Sequence, residues 1–199
     1  MRQRKSAQDR KAEIVDALLV LADRIGPDRL TTNDVAAEVG ITQAAIFRHF
    51  PTKADIWIMV ADVVMARMSQ SWDAALAQEP EPDAQLRALV QAQLAQIEAC
   101  PALPSILFSR ELGVENPELR ERFAAILMTF QGHLATALTL MRDQGKLRAD
   151  LSPDDAAVFV TALVQGIAIR WTLGARGFSL IGEGSRLLER QFALFTTPA

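Results

Sequence analysis

The chain has 199 residues, half of them hydrophobic, so it can bury a sizeable core as one long or two small domains and is not a wholly disordered polymer. Its one cysteine, Cys100, excludes an internal disulfide framework and a cysteine-cluster zinc site, and the two histidines, His49 and His133, stand far apart with no ligand cluster near either, so neither metal nor other cofactor is expected. The net charge of −3 does not by itself point to nucleic acid, but it is unevenly spread: residues 1–53 carry nine Lys and Arg against seven Asp and Glu, and the first eleven hold Arg2, Arg4, Lys5, Arg10 and Lys11 against Asp9 alone. Such a basic arm suits phosphate contacts, or is simply a solvated terminus.

Asp9, Glu13, Asp16 and Asp23 interrupt any apolar stretch near the start, so the basic arm does not open a signal peptide. The longest apolar run, Ala156 to Ile169, is too short to span a bilayer and contains Gln165, so a soluble, cytoplasmic chain without a membrane partner is expected. Apolar residues recur at helical spacing and no segment alternates as a strand does, which predicts an all-α fold of about nine helices.

The first helix is predicted over residues 7–25, with Ile14, Ala17, Leu18 and Leu21 at helical intervals and Gly26-Pro27-Asp28 as its end. Thr31 then makes a good N-cap with Asp34 as its capping-box partner, and Val35, Ala36 and Val39 form one apolar face. Gly40 stands where that helix must stop, because glycine reaches the left-handed conformation without strain. Thr42 caps a third helix that turns Ile46 and Phe50 inward and leaves Thr42, Gln43, Ala45, Arg48 and His49 facing out. Thr52, with Asp55, caps the fourth. Two short helices joined by a tight turn can present the second to a DNA major groove, although the same geometry also serves domains that bind no DNA.

These residues resemble the signature of the tetracycline-repressor (TetR) family of bacterial transcriptional regulators. The resemblance rests on Ile14, Ala17, Leu18, Thr31, Thr32, Ala36, Gly40, Ile41, Thr42, Phe47, His49, Phe50 and Lys53, and covers about the first quarter of the chain. The sequence departs from the family at Ala44, where Gly or Pro is common, and at Phe47, where Tyr is usual. The resemblance implies that Thr32, Thr42, Phe47, His49 and Lys53 contact the DNA backbone and that Asn33, Gln43, Ala44 and Arg48 read bases. By chemistry, Gln43 can pair bidentately with adenine and Arg48 with guanine, while Ala44 and Ala45 are small enough to touch a thymine methyl. Phe47 either contacts DNA or packs in the core.

Further along, a long helix is predicted from Lys53 to about Gln78, broken by Glu79-Pro80-Glu81-Pro82. Asp83 caps the next, to about Ala99. After the Cys100–Pro104 connector a short helix reaches Leu112, ended by Gly113. Asn116-Pro117-Glu118 starts a helix to Gln144 with Gly145 beyond it, and Ser152-Pro153-Asp154-Asp155 starts another, to about Leu173. This last is apolar nearly all round, so it must be buried on both sides. The final helix is expected over about Gly184–Phe195, with the glycines of Gly182-Glu183-Gly184-Ser185 as loop and cap. Functionally the chain divides into a DNA-binding domain, 1–53, and a regulatory and dimerisation domain, 54–199.

The TetR resemblance implies a homodimer on double-stranded, palindromic operator DNA. Phe159, Leu163, Ile167, Leu188, Phe192 and Phe195 are the candidate dimerisation residues; the alternative is a central helix within a monomer. The resemblance also implies a small-molecule effector pocket in the body. Its candidates are Met65, Met68, Trp72, Gln93, Gln96, Phe108, Arg110, Met128, His133 and Trp171, each of which also reads as ordinary core or surface. No Ser-His-Asp pattern has supporting context, so no catalytic residue is assigned and an enzyme is not expected. The expected function is a ligand-released repressor; the alternative is a ligand-independent DNA-binding protein with an architectural or division-control role.

Overall fold

A computed structural model describes residues 6–196, and Arg2, Arg4 and Lys5 of the basic arm lie outside them. Among the described residues there are ten helices and no strand: α1 (Ala7–Ile25), α2 (Thr32–Val39), α3 (Gln43–Phe47), α4 (Lys53–Gln78), α5 (Pro82–Ala99), α6 (Leu103–Leu107), α7 (Arg110–Glu115), α8 (Pro117–Asp143), α9 (Pro153–Leu173) and α10 (Leu180–Phe195). Hydroxyl caps set most of the starts. Ser6, Thr31, Thr42, Ser109, Ser152 and Ser179 each accept a hydrogen bond from the backbone N–H three residues on, as Thr52 does from Asp55.

Three starts differ from the sequence expectation. α5 begins at Pro82, so Asp83 lies in its first turn rather than capping it. The short helix after the Pro101–Pro104 connector is two helices, because Ser109 caps α7 afresh after Phe108, and Gly113 lies inside α7 rather than ending it. The final helix begins at Leu180 under a Ser179 cap, so Gly182 and Gly184 are helical rather than loop. A Cβ on Gly184 would stand 2.4 Å from Leu94 Cδ1, so a larger residue there would make the end of the Leu94 side chain shift, and the missing Cβ lets α10 approach α5 closely.

The chain forms two compact units. The first runs to Val64 and takes in Cys100–Phe123; the second holds Met65–Ala99 and the residues from Ala124 onward. The boundary therefore passes through α4 and α8, each of which gives residues to both units.

In the first unit, Ile14 and Leu18 of α1, Leu30, Val35 of α2, Ile46 of α3, Phe50, and Ile56 and Trp57 of α4 are all buried. Each such aliphatic side chain contributes roughly 1.5–3 kcal/mol when taken out of water. Two polar ties join distant parts of this unit: the Ser109 hydroxyl donates to Asp28, and Arg122 pairs with both Asp62 and Glu118. Gly40 ends α2 at φ +72°, and its N–H bonds back to Ala36 and Ala37. A Cβ on Gly40 would meet no atom within 4 Å, so Gly40→Ala costs backbone strain alone. We expect it to lower unfolding free energy by ~1–2 kcal/mol, measured by urea denaturation, with the urea slope unchanged.

In the second unit α10 lies against α5 and α9, over buried Leu86, Leu89 and Leu94 of α5 and Val160, Val164 and Ile167 of α9. An ionic cluster closes one end. Arg87 bonds Asp83 and Glu189, and Lys146 bonds Asp83 at 3.1 Å and Glu81 at 3.4 Å. Partial burial alone would raise the Asp83 carboxyl, but Arg87 and Lys146 outweigh it and hold the group below its usual range. By length and composition alone α8 and α9 are each apolar enough to cross a bilayer, whereas the Ala156–Ile169 run by itself is too short. The difference arises because α9 extends beyond that run to 21 residues.

Candidate nucleic-acid interface

The helix-turn-helix is built from its caps. The Thr31 hydroxyl and backbone N–H both bond the Asp34 carboxylate, which holds that group below its ordinary range. The tight turn at Gly40 brings the N-terminus of α3 against that of α2, and there the Gln43 side chain donates from Nε2 to Thr32 Oγ1 at 2.7 Å. α3 buries only Ile46, with Phe50 beneath its far end.

The remaining side chains of α3 and its flanks are accessible. Thr42, Ala44 and Arg48 are exposed, as is Asn33 on α2; Thr32, Gln43, Ala45, His49 and Lys53 are half-buried. Phe47 is 40% exposed, so it is not a core residue. The ten candidate DNA-contacting side chains thus all belong to the first unit, and none is fully buried.

The charges on this unit sort into two groups. Arg10 pairs with Glu13 at 2.6 Å and Arg24 with Glu38 at 2.9 Å. Among the described residues Arg48 and Lys53 have no ion-pair partner, so their charge is available to phosphate or to a guanine edge. Lys11 is a further cation here that sequence reasoning placed only in a general basic arm. Its ammonium sits 5.4 Å from the centre of the Phe50 ring, beside the turn between α3 and α4. No sequence signal links residues so far apart.

The candidate effector residues do not form one group. Met68, Trp72, Gln93 and His133 come together in the second unit. Trp72 Nε1 donates to Gln93 Oε1 at 3.0 Å, Gln93 Nε2 approaches Met68 Sδ, and the Trp72 ring lies 5.5 Å from Phe130 and 5.8 Å from His133. Met65 and Gln96 are half-buried in the same unit. Met128 is exposed, and Trp171 is buried and bonded through Nε1 to the Phe178 carbonyl. Phe108 and Arg110 are exposed and belong to the first unit. No three of His, Cys, Asp and Glu come together as a metal site among the described residues.

The candidate dimerisation residues also separate. Ile167, Leu188, Phe192 and Phe195 are buried in the second unit's own core, Leu163 is half-buried, and Phe159 is exposed with its ring 5.9 Å from Phe195. The exposed apolar residues of α9, Val158, Phe159, Ala162, Gly166, Ile169 and Leu173, form a stripe within about 100° of arc, with exposed Asp155 at its N-terminal end and Arg170 along its edge. A helix buried on all sides within one chain is therefore not what α9 is. Leu194 of α10 is exposed as well.

A family model of bacterial regulatory proteins of the tetR family matches residues 14–58, and a model of the C-terminal part of BetI-type transcriptional repressors matches residues 80–190. The nucleoid occlusion factor SlmA of Vibrio cholerae is 30% identical over 162 residues, 78% of this chain and 79% of its own. The HTH-type transcriptional repressor BepR of Brucella suis is 29% identical over 206 residues, 94% of each chain. Among solved structures, a transcriptional regulator from Saccharomonospora viridis in complex with choline superposes with a TM-score of 0.83 at 22% identity, covering 96% of this chain and 100% of that one. The regulator FadR from Bacillus subtilis in complex with stearoyl-CoA gives 0.78 at 19% identity, covering 91% and 97%. At those identities the structural likenesses show the fold.

Proposed function

The chain belongs to the TetR family of bacterial transcriptional regulators, and on that basis we propose that it is a ligand-responsive repressor binding a palindromic operator as a homodimer. The observation that carries the reading is α3: a single capped turn with Ile46 underneath, Gln43 and unpaired Arg48 at its two ends, and small Ala44 and Ala45 between them. Two hydrogen-bonding side chains with little bulk between them suit close approach to base edges. In this reading Thr32, Thr42, Phe47, His49 and Lys53 hold the backbone, and residues 1–53 form the DNA-reading domain. Exposed Phe47 has no hydroxyl, so its contact with the sugar-phosphate backbone is apolar.

Residues 54–199 form the regulatory body, and a small-molecule effector is supported by the choline and stearoyl-CoA bound to structural neighbours. The cluster of Met68, Trp72, Gln93 and His133 is the proposed effector-sensing region, being apolar with a few polar groups. α4 is one continuous helix with residues in both units, so a shift of its second half is carried to its first. Allosteric coupling of ~1–3 kcal/mol would weaken operator binding by roughly 5–150-fold. The protein acts in the cytoplasm, where its DNA is, and regulates rather than catalyses.

Homodimerisation is assigned to the open face of α9 with α10, joined to the same face of a second copy as a four-helix interface. Charging that face with Val158→Asp/Ile169→Asp should move the sedimenting mass from twice the chain to once. Unchanged dimer mass would place the interface elsewhere.

The first test is a gel shift on DNA upstream of the protein's own gene, at fixed moderate salt, beside scrambled DNA. A discrete shift of the first duplex alone is expected, and release by an effector found in a small-molecule screen completes the reading. Absence of any preferred duplex, in a genomic selection as well, overturns it. The likeness to SlmA favours a second reading, a division-control DNA-binding protein that takes no ligand. A melting temperature raised by a screened molecule decides for the regulator.

A further inference from the structure

Thr32 holds a position in the helix-turn-helix that phosphate binding alone does not account for. It follows the Thr31 cap and takes no part in the capping box, which uses the Thr31 hydroxyl and Asp34. Instead its Oγ1 accepts from Gln43 Nε2 at 2.7 Å, eleven residues away and on the other helix, in a partly buried setting. Gln43 stands at the first position of α3, directly after the Thr42 cap, where an unrestrained glutamine has three rotatable side-chain torsions.

The chemistry of the bond determines what Gln43 can read. Pairing with the major-groove edge of adenine needs the amide oxygen to accept from N6–H and one amide hydrogen to reach N7. A glutamine amide has two hydrogens. Thr32 takes one; once its hydroxyl hydrogen is given to a phosphate oxygen, Oγ1 can only accept, which turns the amide nitrogen toward it and leaves the amide oxygen and the second hydrogen for a base edge. The Thr32 hydroxyl keeps its own hydrogen for a phosphate oxygen, so the two roles coexist.

We propose that Thr32 is a positioning residue for base reading: by accepting from Gln43 it presents the Gln43 amide in the one orientation that recognises adenine. This rests on the reading of α3 as the DNA-recognition helix. It makes a distinction that a phosphate contact does not. Loss of a neutral hydroxyl's phosphate contact weakens every sequence alike. Loss of an orienting bond lowers discrimination at one base pair.

The experiment uses the whole chain. A best duplex is selected from a random double-stranded library with the wild type. Binding is then measured to that duplex and to every single-base-pair substitution of it, for wild type, Thr32→Val, Thr32→Ser and Gln43→Ala. Thermal melts by circular dichroism check that each variant is folded. The wild type should prefer A·T at one position of each half-site, Gln43→Ala should lose that preference, and Thr32→Val should lower it by about tenfold while preferences elsewhere stay. Thr32→Ser, which keeps the hydroxyl, should restore it. Thr32→Val weakening all duplexes equally, with the A·T preference intact, would overturn the proposal and leave the recognition-helix reading standing. A wild type that enriches no duplex would overturn both.

Discussion

A Gln43→Ala/Arg48→Ala variant should retain its fold and its dimer mass and lose sequence-specific DNA binding. Neither side chain lies in the core, and Arg48 has no ion-pair partner among the described residues. The hydrogen bond removed within the first unit is the single partly buried one from Gln43 to Thr32, whose loss costs about 0.5–1.5 kcal/mol and leaves the core intact. A bidentate pairing to a base discriminates by ~1–3 kcal/mol, so the loss of two in each half of a dimer is large against a typical specificity gap of roughly 4–10 kcal/mol. In a gel shift the discrete complex should vanish at concentrations that fully shift the duplex with wild type. Residual binding should be insensitive to sequence and steeply dependent on salt, because Lys53, Lys11 and the helix N-termini still attract phosphate. A double variant that still prefers the selected duplex by the wild-type margin would mean that α3 does not read it.

Trp72→Ala should be the most destabilising single change in the second unit. The side chain is 0% exposed, packs at a tilt against the rings of Phe130 and His133, and donates its indole N–H to Gln93. Truncation of a buried tryptophan costs about 3–5 kcal/mol through lost burial and the cavity left behind. The stranded Gln93 carbonyl adds to that unless water reaches it. Against a total stability of roughly 5–15 kcal/mol, such a loss removes a fifth or more of what holds a domain folded. Urea denaturation followed by circular dichroism gives the value. Indole added at millimolar concentration should bind the cavity and recover part of the loss, as apolar cavities of engineered proteins do. A loss below about 1 kcal/mol would mean that the surrounding side chains collapse into the space.

Much of the fold was legible because helix starts carry their own chemistry. Thr31 with Asp34, Thr42, Thr52 with Asp55, and Ser152 with Pro153 each supply an acceptor for the first unpaired N–H groups, and the helices begin where those residues stand. Gly40 and Gly145 mark ends because both adopt positive φ, the latter with Lys146 N–H bonded back to Met141. What was not legible depended on contacts distant in sequence. Gly182 and Gly184 look like a break, yet α10 runs through them from its Ser179 cap, and Gly184 faces the Leu94 side chain on α5. The apolar character of α9 indicates two buried faces but not which residues belong to which. Ile167 turns inward, while Ile169 and Leu173 remain outside. The candidate DNA-contacting residues fold together because they lie in one short segment. The candidate effector residues do not, because Phe108 and Arg110 fold with the first unit and Trp171 is bonded to its own following loop.

α3 is one turn of helix, five residues from Gln43 to Phe47. A lone turn in water is a coil, because fixing its backbone is not repaid by the single hydrogen bond it makes. Its shape is therefore lent by Ile46 and Phe50 beneath it and by the Gly40 turn before it. Warming that loosens those supports erases the base-reading surface. Promoter occupancy then falls with the folded fraction of the head, and a cell carrying Gly40→Ala should show the target gene silent at low growth temperature and switched on at high, with no inducer added.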